Sequence, residues 1–167
     1  MEPLTARHAF SQFLAKFPPV DMPVTLGDDT HHIFITENEP LTEDMIRQFI
    51  LPVEPAGTEL DEFTEFAPCF AIANTDNFFA LVWWKAELLT YHYMLATFTD
   101  KGQLIDRQVI AHTVATEERV DRRVATINEE WEIFIAEGST ADGLTGFDPG
   151  TSRTFIFEIM ANGEIAV

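Results

Sequence analysis

Apolar and polar positions alternate most regularly between Asp76 and Thr116, and the alternation predicts three consecutive strands, because successive strand side chains point to opposite faces. In Phe78 to Leu88, one face carries Phe78, Ala80, Val82, Trp84, Ala86 and Leu88. The other carries Phe79, Leu81 and Trp83 and turns polar at Lys85 and Glu87. A strand apolar on both faces at one end is covered on both sides there. Leu89 to Phe98 repeats the pattern, with Tyr91, Tyr93 and Leu95 opposed to His92, Met94, Ala96 and Phe98. Gln103 to Ala115 returns, with Leu104, Ile110, His112 and Val114 on one side and Ile105, Val109, Ala111 and Ala115 on the other. Thr99-Asp100-Lys101-Gly102 supplies the hairpin chemistry between them, an early Asp and a late Gly. The preceding turn, near Glu87 to Thr90, has neither Gly nor Pro.

Helical spacing occurs twice near the start. Ala6, Ala9, Phe10, Phe13, Leu14 and Phe17 form one stripe, predicting a helix from Thr5 to about Lys16 that Pro18-Pro19 ends. Thr42 caps a second predicted helix, Glu43 to about Leu51, which buries Met45, Ile46, Phe49 and Ile50 and stops at Pro52. Val20 to Leu26, interrupted by Pro23, reads as an edge strand at most, and His32 to Thr36 as a short strand. Pro68 to Ala73 enters the central sheet. Val120 to Ile127 and Trp131 to Ala136 form a hairpin around Asn128-Glu129-Glu130. Gly138 to Gly150 is a glycine-rich loop. Arg153 to Met160 and Ile165 to Val167 close the chain around Ala161-Asn162-Gly163-Glu164, the strongest turn signal present.

The predicted fold is α+β in one domain: an antiparallel meander of about seven to nine strands, with two helices in the N-terminal half packed on it. The hairpin from Ala96 to Asp106, the pieces Ala125 to Ile127 and Trp131 to Ile133, and the ending Asn162, Gly163 and Ile165 together resemble uncharacterised bacterial proteins of a β-meander type. The resemblance spans roughly residues 80 to 167. It implies a β-rich fold and brings no activity or site with it.

Composition narrows the function. The chain has 167 residues, 46% of them hydrophobic, enough for one core without staples. Cys69 is the single cysteine, so no internal disulfide forms, and it reads as a small buried hydrophobe. Twenty-eight acidic against ten basic residues give a net charge of −18. Such a surface repels phosphate backbones and anionic membranes and attracts basic partners. The first residues lack the apolar segment of a signal peptide, and a cytoplasmic location is expected.

No motif marks a catalytic, cofactor or metal site. His31 and His32, as strand neighbours, would point apart. His92 and His112 could pair across adjacent strands, yet no further ligand stands at zinc spacing. Ser11, Ser139 and Ser152 sit in no nucleophile elbow. The loop from Gly138 lacks the lysine of a phosphate loop, and Asp142 and Asp148 miss the spacing of a calcium loop. Glu117, Glu118, Glu129, Glu130 and Glu132 read as solvated charge. Arg119, Arg122 and Arg123 are the only basic cluster, offsetting local acidity or, as the more distant alternative, holding an anion.

Two sets of residues remain. Glu54, Glu59, Asp61, Glu62 and Glu65 lie in an acidic loop without Lys or Arg and could meet a basic partner. Trp83, Trp84, Tyr91, Tyr93 and Trp131 could line a pocket for a small apolar ligand. The preferred expectation is a non-catalytic interaction protein, immunity- or regulator-like, engaging a basic protein. A carrier of an apolar ligand is the alternative and an enzyme the third. Self-association is left open.

Overall fold

The computed structural model describes residues 2–27, 30–141 and 152–167. The helices are α1 (Glu2–Leu14), α2 (His31–Glu37) and α3 (Glu43–Met45), the last continuing into a π-helical turn, Ile46–Ile50. The strands are β1 (Pro19–Val20), β2 (Val24–Leu26), β3 (Glu65–Ile72), β4 (Phe79–Glu87), β5 (Thr90–Phe98), β6 (Leu104–Ala115), β7 (Arg119–Ile127), β8 (Glu132–Ala141), β9 (Arg153–Ile159) and β10 (Ile165–Ala166). They form one open, mostly antiparallel sheet in the order β1-β3-β4-β5-β6-β7-β8-β9-β10, with β2 paired to β7. The α+β meander expected from the alternation is present.

Both faces of the central strands are buried, as the pattern in Phe78 to Leu88 required. Phe78, Ala80, Val82, Trp84, Tyr93 and Leu95 belong to an inner core that also takes Ile127, Ile133, Ile135 and Phe157 from β7 to β9. Leu81, Trp83, Met94, Ala96 and Phe98 belong to a second layer beneath the helices. There Phe10 and Phe13 of α1 meet Phe49 of the π turn, the Phe13 and Phe49 rings stacking at 4.7 Å. Thr42 caps α3 by accepting a bond from the Met45 N–H at 3.2 Å.

The sheet curls because β6 carries two bulges. Tyr93 pairs Ala111 while Met94 pairs Val109, leaving Ile110 as an extra residue; Thr97 pairs Asp106 while Phe98 pairs Leu104, leaving Ile105 extra. A bulge adds twist and breaks strict alternation. Ile110 and Ala111 therefore both enter the inner core, where simple alternation had put them on opposite faces. Past the first bulge only His112 to Ala115 pair with β7, and β2 takes up the free edge of β7. The far end of the sheet returns to its middle. Ile165 N–H donates to Asp106 Oδ2 at 2.8 Å, and Thr97 Oγ1 donates to the Gly163 carbonyl at 2.6 Å. Gly163 has φ +91°, and a Cβ there would lie 2.8 Å from the Ile105 side chain, so the turn needs glycine twice over.

Three expectations need correction. His31 to Glu37 is a helix, not a strand: Phe34 packs on Phe70 at 5.6 Å, and Asn38 Nδ2 donates to the Pro68 and Cys69 carbonyls, both at 2.8 Å. Those carbonyls belong to an irregularity in β3 between Pro68 and Phe70, where proline cannot continue the ladder. The first helix begins at Glu2, so Thr5 is inside it rather than its cap. Gly138 and Ser139 extend β8 rather than open a loop, while Asp142 and Asp148 lie outside the described residues. No helix among the described residues is long and apolar enough to cross a membrane.

Candidate functional site

Strand register assembles a polar row that no local motif announces. Phe66, Lys85, His92, His112, Arg123, Glu137 and Arg153 are successive cross-strand partners from β3 to β9. Each strand is strongly apolar on one side of this row, so the row marks where the sheet leaves the core.

At the β4 end the row is buried. Lys85 Nζ stands 3.4 Å from Glu54 Oε2 and 3.0 Å from Glu87 Oε1, with Phe66 beneath it at 5.7 Å. Trp83 Nε1 donates to Glu54 Oε1 at 3.5 Å. His92 Nε2 lies 3.8 Å from the same oxygen, beyond hydrogen-bond length, so its pull on the carboxylate is electrostatic. Burial pushes the Glu54 carboxyl upward, but His92, Lys85 and the Trp83 indole more than offset it and hold the group below the usual carboxylate range. Glu54 is therefore removed from the partner-binding set proposed from sequence: its side chain is wholly buried and fastens the loop after the π turn to the sheet.

The other four acids of that loop, Glu59, Asp61, Glu62 and Glu65, are exposed. Between them stands Phe63, 73% exposed, in a turn where the Phe63 N–H donates to Asp61 Oδ1 at 2.9 Å. Glu65 opens β3 opposite Ala86 near the end of β4, so this loop and the β4–β5 turn leave the sheet at the same end. That turn exposes Leu88 by 82% and Leu89 by 65%. Leu89 adopts φ +61°, a left-handed conformation that substitutes for the missing glycine. The β6–β7 turn beside it exposes Glu117 and Glu118. Sequence reasoning identified the acids and missed Phe63, Leu88 and Leu89. The one available signal was a turn, Glu87 to Thr90, with leucines where Gly, Asn or Asp is usual.

At the β7–β9 end the row opens into a cleft of about 410 Å³ lined by His112, Arg119, Asp121, Arg122, Glu137, Gly138, Ser139 and Arg153. Arg123 Nε donates to Glu137 Oε2 at 2.8 Å and its Nη1 donates to the Val109 carbonyl at 2.9 Å. Arg153 Nε donates to Glu137 Oε1. Burial raises the Glu137 carboxyl, and the hydrogen bonds and charges of Arg123 and Arg153 outweigh it, so the group is held low. The pKa of His112 is lowered too, and for a base that favours the neutral form: burial first, then Arg123, lower it against the opposing pull of Glu137 and Asp121.

The five aromatics do not share one cavity. Trp83 faces the helices, Trp84 and Tyr93 fill the inner core with Tyr91 packed against it, and Trp131 meets Phe78 edge-on at 5.6 Å. His31 stacks flat on Trp84 at 4.6 Å, and the ring of its neighbour His32 lies 4.0 Å away, tilted to it, so the two histidines lie together on α2 rather than apart on a strand. Cys69 is buried, and burial raises its thiol well above the ordinary value. Among the described residues no three His, Cys, Asp or Glu side chains are grouped to hold a metal ion.

No family model, curated protein or solved structure matches the chain. Its functional reading stands on residues and geometry.

Proposed function

We propose that the protein is a non-catalytic interaction module whose acidic sheet end engages a basic, partly apolar segment of another protein. The observation that carries this reading is the exposure of Phe63, Leu88 and Leu89 at one end of the sheet among Asp61, Glu62, Glu65, Glu87, Glu117 and Glu118. Exposed apolar groups gathered at one place and rimmed by polar residues mark interaction surfaces, whereas singly scattered ones do not. A surrounding ring of carboxylates selects basic partners and speeds their approach. The buried Glu54–Lys85 pair supports the arrangement by holding the base of the loop while its tip stays in water.

The test is recovery of a partner from the native host at low and high salt, followed by association kinetics with the recovered protein. Binding lost in a Phe63→Ser, Leu88→Ser, Leu89→Ser variant with an unchanged melting curve supports the reading. Replacement of Asp61, Glu62 and Glu65 by Asn or Gln should slow association, and added salt should slow the native protein similarly. A partner that binds the serine variant as well as the native chain would overturn it.

A further inference from the structure

From a cleft at the end of the sheet opposite Phe63 and the β4–β5 turn, we infer that the protein binds a small organic cation, an ammonium group carried on an apolar body such as a methylated amine. The inference uses a different surface from the acidic sheet end and stands apart from it.

The fold is the first ground. Pro19 and Val20 pair with β3, and Val24 to Leu26 pair with β7. Asp21-Met22-Pro23 therefore bridges two strands that β4, β5 and β6 separate in the sheet. The bridge crosses the mouth of the curled sheet, where β3 ends at Ile72 and β7 at Ile127. A cleft of about 460 Å³ opens there, lined by Asp21, Met22, Ala73, Asn74, Glu129 and Trp131. Its volume is that of a small-molecule site, and the mouth of a curled sheet is one of the places where such sites form.

The lining is the second. Met22 and Trp131 are partly buried against the inner core and give the cleft a fixed apolar wall. Trp131 is tied at both backbone groups: its N–H donates to the Asn128 carbonyl at 3.1 Å, and its carbonyl accepts from the Ile159 N–H at 3.0 Å. It has φ +64°, a conformation unfavourable for a bulky residue. These bonds and the Phe78 ring at 5.6 Å hold it there. Asp21 and Glu129 are exposed on the same cleft. Unpaired acids alone are commonplace on a chain of net charge −18. An indole and two carboxylates around one concavity are a different combination, because the ring and the charges both attract an ammonium group.

The vacancy for a cation is the third. Among the described residues, the cations that lie over aromatic rings lie over Phe66, Phe155 and Phe157, and none lies over Trp131. Neither Asp21 nor Glu129 is in an ion pair among those residues. No Lys or Arg lines the cleft, so an anion meets only repulsion there. A hard inorganic cation needs several oxygen ligands at fixed distances, and no three His, Cys, Asp or Glu side chains are grouped to supply them among the described residues. A methylated ammonium group needs no such ligand set, and its methyl groups suit the indole and the polarisable Met22 thioether.

The experiment is NMR titration of the full chain with equal concentrations of choline chloride, potassium chloride and dimethylbutanol, the uncharged isostere in which carbon replaces the choline nitrogen. Choline should shift the Trp131 indole N–H and the Asn74 and Glu129 amides, and leave the indoles of buried Trp83 and Trp84 in place. Potassium and dimethylbutanol should leave all of them nearly unmoved. Trp131→Leu should weaken choline binding about tenfold, the loss of a partly desolvated cation–π contact, and Trp131→Phe should fall between. Asp21→Asn and Glu129→Gln should each weaken it about threefold. Glu43→Gln, on α3, should bind as the native chain does. Melting curves establish that each variant is folded. If Trp131→Leu does not fold, Trp131→Phe and an Asp21→Asn, Glu129→Gln double variant decide. Millimolar choline leaving the Trp131 indole unmoved would overturn the site, and so would unchanged affinity in either of those folded variants. Equal shifts with dimethylbutanol would overturn the cation, and equal shifts with potassium would overturn its organic character.

Discussion

Replacing Lys85 by Met should cost far more stability than replacing Glu54 by Gln, although the two form one ion pair. Lys85 is nearly buried and Glu54 wholly so, their charged atoms 3.4 Å apart. At an effective dielectric constant of roughly 20, a pair at that distance attracts with about 5 kcal/mol, most of which offsets the desolvation of both groups. Methionine keeps the apolar stem over Phe66 but strands the Glu54 carboxylate with Trp83 Nε1 and a His92 nitrogen 3.8 Å away. An uncompensated buried charge costs about 3–5 kcal/mol. Glu54→Gln instead leaves Lys85 its 3.0 Å contact with half-exposed Glu87, and the loss should be about 1–2 kcal/mol. A Glu54→Leu, Lys85→Met double variant should recover most of the Lys85→Met loss, because neither charge is then buried alone.

The pH dependence has a definite sign. In the native protein the Glu54 carboxyl is held below its ordinary value, so its pairing stabilises above the unfolded pKa of about 4.3 and is lost as pH falls through the folded value. In Lys85→Met the carboxyl loses the lowering pull of the Lys85 charge while its burial remains, so it is protonated earlier on acidification than in the native protein. The difference between native and variant is therefore largest near neutrality and shrinks towards about pH 4.5. Urea unfolding followed by the fluorescence of buried Trp83 and Trp84 measures it. Equal costs for the two single variants, a Lys85→Met cost under about 1 kcal/mol, or a cost independent of pH would refute the reasoning.

Trp84→Ala should destabilise by about 3–5 kcal/mol, since the ring is buried in the inner core and its loss leaves a cavity; a urea midpoint shift worth under about 1 kcal/mol would contradict that packing. His112, lowered by burial and Arg123 and facing Arg123, Glu137, Asp121 and His92, should contribute stability that is complete above its unfolded pKa of about 6.5 and is lost as pH falls towards the folded value. His112→Gln should remove that part of the slope in melting temperature against pH, and an unchanged slope would count against it.

The sequence by itself determined the elements whose signals are local. Alternation from Phe78 to Trp84 and from Tyr93 to Phe98 assigned side chains to their faces, and the inner core and helix-side layer follow that assignment, while Leu88, placed on the core face, stands in solvent. Asp100 and Gly102, and Asn162 and Gly163, placed two hairpin turns, because turn chemistry acts over a few residues. The Phe10, Phe13 and Phe17 stripe and the Thr42 cap placed two helical segments. His31 to Glu37 escaped because a run of about seven residues is too short for propensity to decide. Its helix is fixed by Phe34 against Phe70 and by Asn38 on the irregular stretch of β3.

Only the tertiary structure decided the sites. Glu54 and Glu59 read alike in the chain, and what separates them is the Lys85 side chain that covers one and leaves the other in water. The row from Lys85 to Arg153 joins residues up to 68 positions apart through five successive strand pairings. The Ile110 bulge shifts the β5–β6 register between Met94 and Tyr93, so that His92 meets His112. A period of two fixes which face a residue takes within its own strand. It carries no information about which residue of another strand will stand beside it, and that choice belongs to register and bulges.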